Sequence, residues 1–196
     1  SFQELNGIEF WTQSKGYDTV KPLFANTKNQ ITYENKEFNL KFLFHPTGFT
    51  QINPFINQIL IRKVMALLNP LKSDVIFDLF SGMGNFTLPI ATSGATVLAI
   101  EGDESLVESG NRNAIENNLS KNVTFKTVDL FNIKKEELVL LGKANKWLID
   151  PPRVGALNLV NLIDDAIKPK LIVYISCNPA TLARDSNILV NEKKYI

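Results

Sequence analysis

An α/β fold is what this sequence predicts: a mostly parallel sheet with helices on both faces, preceded by a small antiparallel β segment. Three observations carry this. From about Asn53 onward, short apolar runs alternate with stretches of helical periodicity. The runs are apolar at successive positions, as in strands covered on both faces. The first run ends in Ser81-Gly82-Met83-Gly84, two glycines that permit a tight turn and close approach of backbone to a ligand.

Taken in order, residues 1–50 form a β-rich segment. Ile8-Glu9-Phe10-Trp11 and Phe38-Asn39-Leu40-Lys41-Phe42 alternate at period two, as half-buried antiparallel strands do. Asn26–Asn29 reads as a turn. Residues 51–196 form the main domain. Ile56, Leu60, Val64 and Leu67 or Leu68 recur at helical spacing, and Pro70 ends that helix. Val75–Leu79 is the first buried strand, and Asn85–Thr92 a helix. Ala95–Ile100 is the second strand, with a helix over Glu104–Asn118. Val123–Val128 and Lys146–Ile149 follow as strands, with Lys134-Lys135-Glu136-Glu137 read as a solvated helix face. Leu159–Ile167 reads as helix, Leu171–Ile175 as the fifth strand and Ala180–Val190 as helix.

Composition removes several classes of function. The 196 residues carry 21 basic and 20 acidic side chains, a formal charge of +1, which gives no electrostatic reason to expect a polyanion. No apolar run reaches the length of a membrane helix, and no signal peptide is visible. One cysteine forbids an internal disulfide and fits a reducing, cytoplasmic setting. One cysteine and one histidine make a metal site within this chain an unpromising reading, so no metal is expected. The first residue is serine, which fits a processed product or an excised fragment.

Open parallel sheets bind ligands beyond the carboxyl ends of their strands, so the residues there are the candidates. The glycine turn follows Asp78 and Leu79 but is not G-x-G-x-x-G, since Thr87 stands three positions beyond Gly84. Glu101, ending the second strand, suits the two hydroxyls of a ribose. Asp129, ending the third, can accept from an adenine amino group or cap a turn. Together these describe a nucleoside ligand. NAD and S-adenosylmethionine both fit, the second better, because the phosphate-binding fingerprint is incomplete and Asp78 precedes the turn. The fourth strand leads into Asp150-Pro151-Pro152-Arg153, a rigid turn able to present the Asp150 carboxylate to a planar base. The fifth leads into Ser176-Cys177-Asn178-Pro179. There a thiol stands beside a helix start, a setting that favours a nucleophilic thiolate.

Three stretches resemble the S-adenosylmethionine-dependent RNA (uracil-5-)-methyltransferases: Ser81-Gly82-Met83-Gly84-Asn85-Phe86-Thr87-Leu88-Pro89, Asp150-Pro151-Pro152-Arg153-Val154-Gly155-Ala156, and Ser176 through Asp185. Phe44 through Asn53 resembles the family's F-x-P-x-x-F-x-Q-x-N segment. The last stretch and the G-N-F-T-L-P turn most resemble the branch acting on 23S ribosomal RNA, with transfer RNA as the alternative. The likeness runs from about residue 8 to the end. Ser81 departs from it, since relatives commonly carry cysteine there.

The resemblance implies a Rossmann-like methyltransferase fold and assigns Cys177 as the nucleophile. Gln51, Phe80, Asn85, Glu101, Asp129 and Asp150 match positions associated with cofactor or target contacts, with Gln51 and Asp150 close to a flipped uracil. Phe49 is a plausible stacking partner for that base, and His45 reads as structural. The resemblance also implies a general-base glutamate in an H-x-E-like segment near the C-terminus, and an N-terminal RNA-binding barrel. Neither occurs in these residues, nor does the cysteine-rich cluster region of some members. The expectation is a fragment, inactive alone or stalled as a Cys177–RNA adduct, whose RNA affinity resides mainly elsewhere. Two rivals remain. An N-methyltransferase using Asp-Pro-Pro would place an aromatic where Arg153 stands, and a nucleoside-binding scaffold would need no thiol.

Overall fold

The computed structural model describes residues 10–16, 19–24, 31–44 and 53–196. Two short antiparallel pairs come first: β1 (Trp11–Thr12) with β2 (Lys21–Pro22), then β3 (Ile31–Asn35) with β4 (Leu40–Phe44). Tyr33 stacks on Phe42 across the second pair, with ring centroids 4.7 Å apart. Leu40 and Phe42 point into the main core. Of the sequence expectations here, the Phe38–Phe42 strand begins only at Leu40 as β4, since Phe38 and Asn39 form the turn, Asn39 with a left-handed φ of 51°; of the Ile8–Trp11 strand, Ile8 and Glu9 lie outside the described residues and Trp11 opens β1. The Asn26–Asn29 turn, and residues His45, Phe49 and Gln51, lie outside the described residues.

Helix α1 (Pro54–Leu68) starts where Asn53 accepts from the Phe55 and Ile56 amides and Pro54 supplies a preset φ. Ile61, Val64 and Leu68 are its buried stripe. It ends on Asn69, which takes a left-handed conformation and donates its N–H to Met65 O, with Pro70 beyond.

The main sheet follows. Its strands are β5 (Val75–Leu79), β6 (Thr96–Glu101), β7 (Val123–Thr127), β8 (Lys146–Ile149) and β9 (Leu171–Tyr174). All neighbours run parallel, in the order β7-β6-β5-β8-β9. Phe77 of β5 stands opposite Leu98 of β6 and Trp147 of β8. Alternation across the pleat divides the core into two layers. Ile76, Val97, Ala99 and Leu148 face one side, against α1 and the helices α2 (Thr87–Ala91) and α3 (Glu104–Glu116). Phe77, Leu79, Ile100, Trp147 and Ile149 face the other, with α4 (Lys135–Leu140), α5 (Leu157–Leu162) and α6 (Pro179–Asn187). Burial on both faces explains why β5, β6 and β8 read as nearly continuous apolar runs, whereas edge strand β7 alternates buried and exposed positions. The Lys134–Glu137 charges do lie on an exposed helix start.

Two helices are shorter than expected. The helix expected over Asn85–Thr92 spans Thr87–Ala91, since Gly84 to Phe86 stay in the turn. The one expected over Leu159–Ile167 spans Leu157–Leu162. Ile163 goes extended yet is fully buried, and the Asp164 carboxylate opens a turn by accepting from Ala166 N. An apolar residue fills the core from either conformation, so periodicity alone ran past the helix end. The helix expected over Ala180–Val190 is α6, continued by a π-helical turn over Ile188–Glu192. Among the described residues, no helix is long and apolar enough to cross a membrane.

Candidate active site

Strand order reverses between β5 and β8, and a parallel sheet opens a crevice at such a point. Residues following all five strands border a cavity of about 690 Å³ there, a size suited to a nucleoside-class ligand. It brings together Phe80, Asn85, Glu101, Asp129, Asp150 and Cys177, each expected from sequence.

The floor is the turn after β5. Phe80 takes a left-handed φ of 67°, uncommon for a side chain of its size. That twist lets Phe80 N and Ser81 N both donate to Ile100 O, at 2.9 and 3.0 Å. Gly82 has φ 55°, and a Cβ built there meets nothing within 4 Å, so its backbone faces open space. Its N–H donates to Glu101 Oε2 at 2.9 Å, and Gly84 N donates to Ser81 O at 3.1 Å. The turn's donors at Phe80, Ser81, Gly82 and Gly84 are therefore engaged within the protein.

Glu101 is fixed by backbone on both oxygens, since Oε1 accepts from Gly102 N and Asp103 N at 2.7 and 3.1 Å. Its Oε2 retains acceptor capacity. Asp129 does cap its turn, Oδ1 accepting from Phe131 N at 2.9 Å and Oδ2 from Asn132 Nδ2 at 2.7 Å. These bonds, that from Asn132 foremost, hold its carboxyl below the usual range. Each oxygen still has a free lone pair. Phe131 was not singled out in the sequence. Its ring meets Phe80 at 5.3 Å and forms an apolar wall beside Asp129. Its position, two residues beyond a strand-end Asp, was the available signal.

Asn85 lines the cavity with its amide already partnered. It exchanges reciprocal 2.9 Å hydrogen bonds with the Asn57 amide and accepts from Tyr33 OH at 3.3 Å. It thus ties the turn to α1 and to the β3–β4 hairpin. Tyr33 and Leu60 reach the cavity from those elements, and sequence spacing had no means of finding them.

On the far side stand Asp150 and Cys177. The Asp150 carboxylate makes no hydrogen bond among the described residues, and burial raises its pKa to about 6. Cys177 is exposed and borders the same cavity. Next to it, Asn178 caps α6 by accepting from Ala180 N at 3.1 Å. Arg153 is the one basic side chain among the described lining residues, against the carboxylates of Glu101, Asp129 and Asp150. Among the described residues there is no cluster of three His, Cys, Asp or Glu side chains able to hold a metal ion.

A family model described as tRNA (Uracil-5-)-methyltransferase matches residues 23–194. The chain is 46% identical over 196 residues to the 23S rRNA (uracil(1939)-C(5))-methyltransferase of Azoarcus sp., covering 100% of this chain and 45% of that protein. It is 47% identical over 195 residues to the enzyme of the same name from Dechloromonas aromatica, covering 99% of this chain and 45% of that one. The chain thus spans less than half the length of these curated relatives. Among solved structures, the tRNA (uracil-54, C5)-methyltransferase of Pyrococcus abyssi in complex with S-adenosyl-L-homocysteine aligns with a TM-score of 0.73 at 28% identity. That alignment covers 90% of this chain and 42% of that one. A SAM-dependent methyltransferase from Agrobacterium tumefaciens shares the fold, with a TM-score of 0.68 at 16% identity over 95% of this chain and 66% of that one.

Proposed function

Because the chain belongs to the tRNA (uracil-5-)-methyltransferase family, we propose that it methylates carbon 5 of a uridine in 23S ribosomal RNA, with S-adenosylmethionine as donor. The observation that carries this reading is that an exposed thiol, Cys177, shares one cavity with Asp150 and with the glycine turn and Glu101.

The residues present fit the donor. Gly82 offers backbone approach without a Cβ, Glu101 retains acceptor capacity for ribose hydroxyls, and Asp129 retains it for an adenine amino group. Phe80 and Phe131 supply an apolar wall for the base. The excess of carboxylates suits a cationic ligand. When bound, the donor supplies an electrophilic methyl group.

The protein's own chemistry concerns uracil, whose carbon 5 is a weak nucleophile. The Cys177 thiolate forms an S–C bond to carbon 6, and the C5–C6 π pair moves toward oxygen 4 as an enolate. Carbon 5 then becomes nucleophilic toward the donor's methyl group, and breaking of the donor's S–CH3 bond would leave S-adenosylhomocysteine. Asp150 faces the uracil edge, accepting from N3–H when ionised, or donating when protonated to the oxygen that gains charge. Removal of the carbon 5 hydrogen by a general base restores the C5–C6 double bond and expels the thiolate. We assign that base to a glutamate of the kind the family resemblance implies, outside these 196 residues. These residues alone are then expected to stop at the adduct. Phe49 and Gln51 are assigned to the flipped base by the same resemblance. The exposed Cys177 fits a reducing compartment, and we place the protein in the cytoplasm.

RNA carrying 5-fluorouridine tests the reading, because fluorine on carbon 5 cannot leave as a proton does. With S-adenosylmethionine present, a covalent protein–RNA band should form and its mass should include the transferred methyl. Cys177→Ala should abolish it. A band that survives this substitution, or methylation on a base nitrogen, would overturn the proposal.

A further inference from the structure

The stretch that carries Cys177 also contains a buried charge that the proposed chemistry does not use. Asp185, on α6, is 0% exposed. Its Oδ2 accepts from Ala156 N at 2.7 Å and from Tyr174 OH at 2.6 Å, and its Oδ1 accepts from Arg184 Nε at 2.8 Å. Ala156 N donates as well to Tyr174 OH, at 3.1 Å. Arg184 in turn reaches Val154 O at 2.9 Å. One helical turn earlier, Asn178 Nδ2 and Thr181 Oγ1 donate to Arg153 O at 2.9 and 3.2 Å. The backbone of the loop after β8 is therefore bonded along α6, at Arg153 to the helix start and at Val154 and Ala156 to its last turn. Gly155 shows how closely they meet. It has φ 78°, and an added Cβ would lie 2.6 Å from both Asp185 Oδ2 and Arg184 Nη2.

We propose that Asp185 is a positioning residue that sets where Asp150 stands relative to Cys177. The proposal rests on the reading of those two residues given above. The Asp150 carboxylate has no hydrogen bond of its own among the described residues, and Cys177 lies exposed on the rim. Their separation is thus fixed through their backbones. Beyond the β8–β9 ladder, those backbones are joined by the Asn178 and Thr181 bonds to Arg153 O and by the network centred on Asp185, which holds the rest of the loop against α6. Catalytic groups misplaced by a fraction of an ångström lose rate, so a buried carboxylate far from the reacting atoms can govern them. Asparagine has the same shape but one acceptor oxygen. It cannot accept from Ala156 N, Tyr174 OH and Arg184 Nε together, and its amide N–H₂ would face another donor.

The test pairs hydrogen–deuterium exchange with single-turnover adduct formation on 5-fluorouridine RNA, comparing the unsubstituted protein with Asp185→Asn and Tyr174→Phe. In Asp185→Asn, exchange should rise about tenfold in both 150–156 and 176–184, with β5, β6 and β7 unchanged. Adduct formation should slow by about thirtyfold at saturating S-adenosylmethionine, with its dissociation constant held within about threefold. Exchange that rises in one segment alone or throughout the molecule would overturn the proposal. So would an adduct rate within about threefold of the parent, or a loss of cofactor affinity that accounts for the slowing. If Asp185→Asn does not fold, Tyr174→Phe decides, because it keeps the carboxylate and removes one donor. A smaller rise paired across the two segments, with about threefold slowing, supports the role, and no change in either refutes it. If the unsubstituted protein forms no adduct, the nucleophile reading falls, and the exchange pattern still decides whether Asp185 couples the two loops.

Discussion

Asp78 should make this protein lose stability as pH rises, which is the reverse of what an ion-paired carboxylate does. It lies beneath the glycine turn with no exposed surface. Thr87 Oγ1 donates to Asp78 Oδ2 at 2.5 Å, and Asp78 Oδ1 is buried without a partner. Burial pushes its pKa to about 7; the Thr87 hydrogen bond opposes this, and the charges of Asp150 and Glu101 add to it. In the unfolded chain an aspartate titrates near ~3.9. A carboxyl whose pKa is raised by folding gives its full stabilisation below the unfolded value and loses it as pH climbs through the folded one. From pH 5 to pH 8 the folded state retains the proton over about two pH units while the unfolded chain does not. At ~1.4 kcal/mol per unit, that loss is ~3 kcal/mol. Asp78→Asn keeps an acceptor for Thr87 and is neutral at both pH values. Urea unfolding of parent and variant at pH 5 and 8, without ligand, isolates the effect, because groups that do not interact with Asp78 contribute equally to both. The variant should gain ~3 kcal/mol on the parent between the two pH values. A stability difference that stays flat across that range would show that Asp78 does not titrate there, and the reasoning would be wrong.

Three further outcomes are expected. Lys146→Met removes the ammonium that donates to Asp74 Oδ2 at 2.6 Å and to Asn69 O at 2.9 Å. Burial opposes the Asp74 charge, but hydrogen bonds from Lys146, Leu71 N and Asn145 overcome it and hold the carboxyl below its usual range. Urea unfolding should show a loss of ~3 kcal/mol at pH 7, shrinking in acid once Asp74 is protonated. Phe131→Ala should weaken S-adenosylhomocysteine binding by about tenfold in calorimetry. Its melting temperature should hardly move, because the ring is 43% exposed. Gly155→Ala should cost ~2 kcal/mol or more in chemical denaturation, from a strained φ and the crowding at Asp185. Unchanged stability would mean that the loop does not press on the network as described.

Which of these features the sequence could reveal depended on whether their cause was local. The central strands β5, β6 and β8 were legible because burial on both faces makes them largely apolar, and edge strand β7 because Val123 and Phe125 alternate with exposed polar residues. Once strands are placed, the residues after them converge, which is why Glu101, Asp129, Asp150 and Cys177 could be nominated together. The partners of Asn85 could not be. Its amide meets Asn57 on α1 and Tyr33 on the hairpin, 28 and 52 residues away, and no short pattern encodes such a meeting. Asp185 shows the same limit in another form. It was visible inside the Ser176–Asp185 stretch, but its role depends on Ala156 N, 29 residues upstream. The early end of α5 was hidden because Ile163 and Ile167 keep helical spacing while serving an extended segment and a turn.

The choice between a dinucleotide and a sulfonium donor, left to an incomplete glycine pattern in the sequence, has a physical basis in the turn. A pyrophosphate needs free backbone N–H groups and the positive end of a helix. Here Phe80 N and Ser81 N both point at Ile100 O, Gly82 N is held by Glu101, and Gly84 N by Ser81 O. The helix that follows is only five residues long. The Glu101 carboxylate therefore occupies a donor that a phosphate would require, and brings a negative charge to the same place. Asp129 and Asp150 add to that field across the cavity, and Arg153 is the single lining cation among the described residues. A near-neutral chain can thus be strongly biased at one point. The net charge of +1 averages over the molecule, whereas the strand ends concentrate carboxylates where a cationic donor would sit. Under the proposed function, an RNA strand approaching this rim would meet the carboxylates of Glu101, Asp129 and Asp150 and one arginine, Arg153. On that reading, docking of a target uridine would draw on base contacts and the covalent bond more than on phosphate attraction within these residues.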